Sequence, residues 1–170
     1  LADTLRAGLD WQARPIRLFG RQVLQPRLMD WAGDHPYTYS GLTLGPKPWP
    51  DALQDTRDRV HATTGIPFDH VLANRYRDGR DSMGWHSDDE PELGPDPPIA
   101  SISLGAVRRF ALRRKDRTGE RVVLDLPHGS LLLLAGATQR RWVHHVPKTA
   151  RPVGERINLT FRRILSPRPP

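Results

Sequence analysis

Apolar and polar positions along this chain change period several times, and each change marks an element. Leu1, Leu5 and Leu9 recur at helical spacing and predict a short amphipathic helix over residues 1–9. Residues 16–24, IRLFGRQVL, read as two short strands hinged at Gly20, with Phe19 near the tip between Arg17 and Arg21. Residues 26–36 show no period and are expected to be irregular. From 37 to 44, YTYSGLTL alternates with period two, which sets Tyr37 and Tyr39 on one strand face. PKPWP at 46–50 is a stop, and 51–64 then carries Leu53 and Val60 as a helix closed by Gly65. A strand over 69–76 aligns Leu72, Asn74 and Tyr76 on one side.

The second half is a succession of short strands and turns. IASISL, RFALRR, RVVLDL and LLLL follow one another, with KDRTG as one of the turns. WVHHVP at 142–147 and RINLTFRR at 156–163 complete the series. Such spacing predicts an all-β barrel or sandwich. On the last strand, alternation puts Arg156, Asn158, Thr160 and Arg162 on one face, and Ile157, Leu159 and Phe161 on the other. Two arginines and a threonine turned inward are costly to bury unless an anion meets them, and a dicarboxylate is the natural candidate.

Composition narrows the picture. The 170 residues suit one domain with a real core. LLLLAGA at 131–137 is far shorter than a membrane span, and no secretory signal is visible, although the chain begins at Leu1 without an initiator Met. The absence of cysteine excludes disulfides, thiolate catalysis and cysteine-ligated zinc, and leaves His, Asp and Glu as metal ligands. A net charge of +7 favours a polyanionic partner. Arg108, Arg109, Arg113, Arg114, Lys115 and Arg117 crowd one hairpin, which reads either as a solvated face or as a phosphate-binding ridge.

The candidate chemistry lies in NRYRDGRDSMGWHSDDE, residues 74–90. In an extended segment His86 and Asp88 aim a nitrogen and an oxygen at one point. That is two thirds of the facial triad of two histidines and a carboxylate that holds iron(II). Alone, the pair also fits a solvated acidic loop. His144 or His145 supplies the candidate third ligand, because neighbours on a strand face opposite sides.

In these motifs the chain resembles the AlkB family of iron(II)- and 2-oxoglutarate-dependent dioxygenases, and most of all its vertebrate duplex-DNA repair homologues. YTYSGLTLGPKPW, NRYRDG, HSDDE, PIASISLGA, HGSLLLL, WVHHVP and RINLTFR carry the resemblance, in that order, from about Ile16 to Ile164. It implies a mainly β fold with a few flanking helices, a double-stranded β-helix of jelly-roll type with the metal inside one end. It implies one domain over 1–165, with a helix and nucleotide-recognition hairpins in 1–50, the catalytic β-helix in 66–165, and a disordered tail at 166–170. By the same resemblance His86, Asp88 and His144 bind Fe(II). His144 is preferred to His145 because the matching motif sets the ligand two residues after Trp142 and three before Pro147. Arg156 and Arg162 hold 2-oxoglutarate, with Asn74, Tyr76 and Thr160 as hydrogen-bonding partners and O2 as co-substrate. Tyr37, Tyr39, Ser40 and Glu90 match the pocket around a damaged base, and Phe19 matches the finger that fills the gap left by a flipped base. Arg113, on the basic hairpin, joins the substrate-binding set.

The implied activity is oxidative dealkylation of bases such as 1-methyladenine and 3-methylcytosine in DNA. The base is flipped out, its alkyl carbon is hydroxylated by iron-oxo chemistry, and formaldehyde is released. The expected partner is nucleic acid, alkylated DNA before RNA, with no membrane and a monomeric protein. Its expected place is the bacterial cytoplasm with the nucleoid, or the nucleus in a eukaryote. Three departures weaken duplex preference: KTARPVGER follows Pro147 where the relatives carry a denser basic loop, Glu120 stands where a basic residue is expected, and Tyr39 replaces a phenylalanine. Single-stranded DNA or RNA is therefore an alternative substrate. An oxygenase of protein side chains or small molecules, and a non-catalytic nucleic-acid-binding module, are the other readings.

Overall fold

The structure, a computed structural model, describes residues 1–18, 21–39, 41–116 and 118–165, without the side chains of Arg17, Leu18, Arg21 and Tyr39. Phe19, Ser40 and the tail at 166–170 lie outside the described residues.

Among the described residues three α-helices, α1 (Ala2–Gly8), α2 (Asp51–Thr64) and α3 (Thr138–Arg141), accompany thirteen strands. β1 (Pro15–Leu18) and β2 (Arg21–Leu24) form one hairpin, and β4 (Tyr37–Tyr39) and β5 (Leu42–Leu44) form another. β3 (Leu28–Gly33), β6 (His70–Tyr76), β8 (Ile99–Gly105), β11 (Ser130–Leu134) and β13 (Arg156–Arg162) build the larger sheet, in the order β11-β8-β13-β6-β3. β7 (Met83–His86), β9 (Arg108–Arg114), β10 (Arg121–Leu126) and β12 (Trp142–Val146) build the smaller, in the order β10-β9-β12-β7. Pairing is antiparallel throughout. Together the two sheets make the double-stranded β-helix that the sequence leads one to expect.

The period-two pattern of β13 explains how the layers assemble. Its apolar set, Ile157, Leu159 and Phe161, joins Val71 and Ala73 of β6 against Leu5 of α1 and Leu53 and Val60 of α2. Burying those side chains covers the back of the larger sheet, with the Val, Leu, Ile and Phe side chains contributing about 1.5–3 kcal/mol each. The helix α2 ends where Gly65 turns left-handed at φ 71°, a conformation open to glycine at no steric cost. The polar set of β13 faces the smaller sheet and, with the matching face of β6, lines a pocket between the layers.

Three expectations fail. Residues 26–36 contain the edge strand β3, whose register with β6 pairs Met29 with Asn74. Its period is hidden by Asp30, a buried carboxylate that receives Lys47 Nζ at 2.5 Å and the Asp10 N–H at 3.0 Å. Residues 37–44 are two strands rather than one, because Gly41 turns at φ 76° between them. Arg108 belongs neither to a solvated face nor to a phosphate-binding ridge, the two readings that the sequence offered for this hairpin. It is 3% exposed, and its guanidinium donates to the carbonyls of Asp78, Asp81 and Pro147 at 2.7–2.9 Å. Among the described residues no helix is long and apolar enough to cross a membrane.

Candidate active site

The pocket between the sheets is where the expected metal and cofactor residues converge: Asn74, Tyr76, His86, Asp88, His144, Arg156, Thr160 and Arg162 line it, whereas Tyr37, Glu90 and Arg113 do not. His86 ends β7 and His144 sits on β12, and the two are directly paired across the ladder. Their rings lie 4.2 Å apart. Asp88 follows two residues beyond the strand end, and its Oδ2 is 3.5 Å from His144 Nε2. Donor atoms of His86, Asp88 and His144 all lie within 4.8 Å of one another. His144 turns inward and packs on Phe110, with ring centroids 5.1 Å apart. Its neighbour His145 instead stacks on Trp85 at 3.7 Å, and Arg113 lies over that indole at 4.4 Å. Strand alternation therefore puts His144, and not His145, in the donor cluster.

Electrostatics favour an ionised Asp88 and a neutral His86. Burial opposes the Asp88 charge, but Arg162 and then His144 keep its carboxyl well below the usual carboxylate range. Arg162 donates to Asp88 Oδ1 through Nη2 at 2.5 Å and through Nε at 3.2 Å. Burial, with His144 alongside, pulls His86 down to about 4, so its ring is a neutral donor. His86 Nδ1 is 2.8 Å from the Gly84 carbonyl, which leaves Nε2 for a ligand.

Arg156 is paired in register with Tyr76 and is 1% exposed. Nη2 donates to Ser103 Oγ at 2.8 Å, whereas Nε and Nη1 are buried without a hydrogen-bond partner among the described residues. A buried guanidinium with free N–H groups is a site for an anion. Asn74 accepts a 2.6 Å bond from Arg27 Nε, and Thr160 bonds Asn158, which donates to Ser101 Oγ at 2.7 Å. Arg162, expected to hold a ligand carboxylate, spends its main contact on Asp88 and keeps only Nη1 unpartnered among the described residues.

Above the cluster, Tyr37 is fully buried, edge-on to His70 at 4.9 Å, with Arg162 over its ring at 5.3 Å. Burial pushes its hydroxyl up. Burial also raises the Glu90 carboxyl, with Arg162 pulling the other way. Sequence reasoning missed Gln139, which is 1% exposed and whose Oε1 accepts the Asp88 backbone N–H at 2.9 Å. The two residues are far apart in the chain, and no local signal joins them.

A facial set of two imidazoles and a carboxylate, in a β-helix that also buries an unsatisfied arginine, defines an oxygenase of the non-haem iron class. The comparisons agree. The pattern of the 2OG-Fe(II) oxygenase superfamily matches residues 2–162. The chain is 48% identical over 159 residues to mouse "DNA oxidative demethylase ALKBH2", covering 88% of this chain and 66% of that protein. It is 47% identical over 149 residues to human "Alpha-ketoglutarate-dependent dioxygenase alkB homolog 3", covering 82% of this chain and 52% of that one. A solved structure, "The structure of OsALKBH1", shares the fold at TM-score 0.59 and 19% identity over 95% of this chain and 87% of that one. The chain thus spans about half to two thirds of these curated relatives. It belongs to the 2OG-Fe(II) oxygenase superfamily, in the AlkB family. Fe(II), 2-oxoglutarate and O2 are what that family uses, and the donor cluster and the unsatisfied Arg156 fit the first two.

Proposed function

We propose that this protein repairs N-alkylated bases in nucleic acid by oxidative dealkylation. The observation that carries the reading is the convergence of His86, Asp88 and His144 beside the buried, unsatisfied Arg156. Similarity to a DNA oxidative demethylase supports the choice of substrate. When bound, iron(II) and 2-oxoglutarate supply oxidation of an alkyl C–H bond by O2, with succinate and carbon dioxide as co-products.

The protein's own groups do the holding. His86, Asp88 and His144 bind the metal, and Arg162 keeps Asp88 ionised and oriented. Arg156 meets the far carboxylate of 2-oxoglutarate, with Tyr76, Asn74 and Thr160 around it. A base within a duplex cannot present its alkyl carbon to a buried pocket, so it must leave the stack. Phe19 fills the gap, Tyr37, Tyr39 and Ser40 border the extruded base, and Glu90 bonds its edge. Arg113, exposed on β9, meets a phosphate. The hydroxylated alkyl group on nitrogen then breaks down to formaldehyde and the restored base, which needs no protein nucleophile. The working form is a monomer, located with the nucleic acid it serves.

One observation favours single strands. Arg114 is drawn to Asp116 at 2.5 Å and to Glu120 at 3.9 Å, so the hairpin has less free positive charge for an opposite strand.

The test is formaldehyde release from 1-methyladenine and 3-methylcytosine oligonucleotides, single-stranded and duplex, with iron(II), ascorbate and 2-oxoglutarate. Release that needs both cofactors and is lost in Asp88→Ala supports the reading. Phe19→Ala should lose duplex repair selectively. Consumption of 2-oxoglutarate without any base repair would leave an oxygenase of another substrate class.

A further inference from the structure

Asp88 is the one donor of the three whose backbone lies outside the strand ladder. His86 and His144 are rungs of one ladder, but Asp88 lies beyond the end of β7. Its backbone N–H is held by Gln139 Oε1 at 2.9 Å. Gln139 belongs to α3, only four residues long. That helix is in turn fastened from outside. Lys115, at the turn after β9, donates through Nζ to the Gln139 carbonyl at 2.8 Å and to Asp89 Oδ2 at 2.9 Å. The Lys115 backbone N–H reaches the Arg141 carbonyl at 2.9 Å.

We propose that Gln139 and Lys115 are positioning residues that brace the Asp88 loop, setting the metal affinity of the site and tying it to the basic β9–β10 hairpin. The inference rests on reading His86, Asp88 and His144 as the metal site. Neither residue belongs to the donor cluster. Gln139 acts on the Asp88 main chain, while Lys115 acts on Asp89 and on the helix that carries Gln139. Partners that orient a metal ligand are commonly worth about 10–100-fold in affinity.

The sign of the Lys115 effect separates a brace from a bystander. A lysine near a dication site repels the metal through space, so its removal as a charge alone would tighten binding. Removal as a brace would weaken it. The measurement is the dissociation constant for Mn(II) alone, by calorimetry, with unfolding temperatures of the metal-free proteins recorded alongside. Gln139→Leu should weaken Mn(II) binding about 10–100-fold. Lys115→Met should weaken it about 2–10-fold, the worth of one hydrogen bond, and Lys115→Arg should restore most of the loss. If Gln139→Leu does not fold, Lys115→Met decides, since that side chain is 32% exposed. Mn(II) binding by Lys115→Met as tight as wild type, or tighter, overturns the brace, as does wild-type affinity in a folded Gln139→Leu. Failure of the wild type to bind Mn(II), or undiminished binding by Asp88→Ala, overturns the metal-site reading itself and the brace with it.

Discussion

Arg162 and Asp88 form an ion pair sealed inside the barrel, Nη2 to Oδ1 at 2.5 Å, with both side chains 2% exposed. A buried pair returns little net stability, but breaking it leaves an uncompensated charge. Arg162→Met should therefore destabilise the metal-free protein by about 3–5 kcal/mol. A bound dication neutralises the same carboxylate, so the loss should shrink when Mn(II) is present. Urea unfolding with and without Mn(II) measures both. Equal losses in the two conditions would mean that Asp88 does not meet the metal.

His144 and His145 give the sharpest contrast between neighbours. His144→Ala should abolish Mn(II) binding, while His145→Ala should retain most of it and lose only the stack on Trp85. Calorimetric titration of both variants checks this; the reverse order of effects would move the ligand to the outer face.

Arg156 should show opposite effects on stability and binding. Its Nε and Nη1 lack partners in the ligand-free pocket, and burial pulls its pKa down. Arg156→Met removes an unsatisfied buried charge, so the ligand-free protein should unfold no more easily than wild type. Its affinity for 2-oxoglutarate should fall at least about tenfold, the loss of one charge-assisted contact. A stability loss with unchanged 2-oxoglutarate affinity would make Arg156 purely structural.

His70 makes acid stability predictable. It is fully buried, and burial, with Arg162 nearby, lowers its pKa from 6.5 to about 3. A histidine with a depressed folded pKa favours the neutral form in the fold. Its contribution is complete above pH 6.5 and is lost as pH falls from there toward 3. Between pH 7 and pH 5 this single group should cost about 2 kcal/mol of unfolding free energy. His86 shifts the same way in the metal-free protein. Denaturant unfolding across that range should show the decline, and His70→Leu should flatten it; an unchanged slope would assign the acid sensitivity elsewhere.

The strand RINLTFR was legible because each of its faces has one chemistry, apolar toward the helices and polar toward the pocket. The His86–Asp88 spacing was legible for the same local reason. What escaped depends on distant partners. Asp30 disguised β3 because the lysine that neutralises it arrives from the far side of the next hairpin. Arg108 looked like surface charge because its three carbonyl acceptors come from two remote loops. Gln139 carried no signal, since its role exists only once α3 is folded against Asp88.

The direct pairing of His86 with His144 divides the site into two kinds of matter. Both imidazoles are carried by adjacent strands of one hydrogen-bonded sheet, so the spacing of their backbones is set by that ladder. The carboxylate rides on loop backbone outside the ladder. Backbone adjustment to an incoming ligand then falls more on the loop than on the ladder, while the Asp88 carboxylate itself stays tied to Arg162. Amide exchange should register that asymmetry as slow rates along β12 and faster ones at Ser87, Asp89 and Glu90, with Asp88 kept slow by its bond to Gln139.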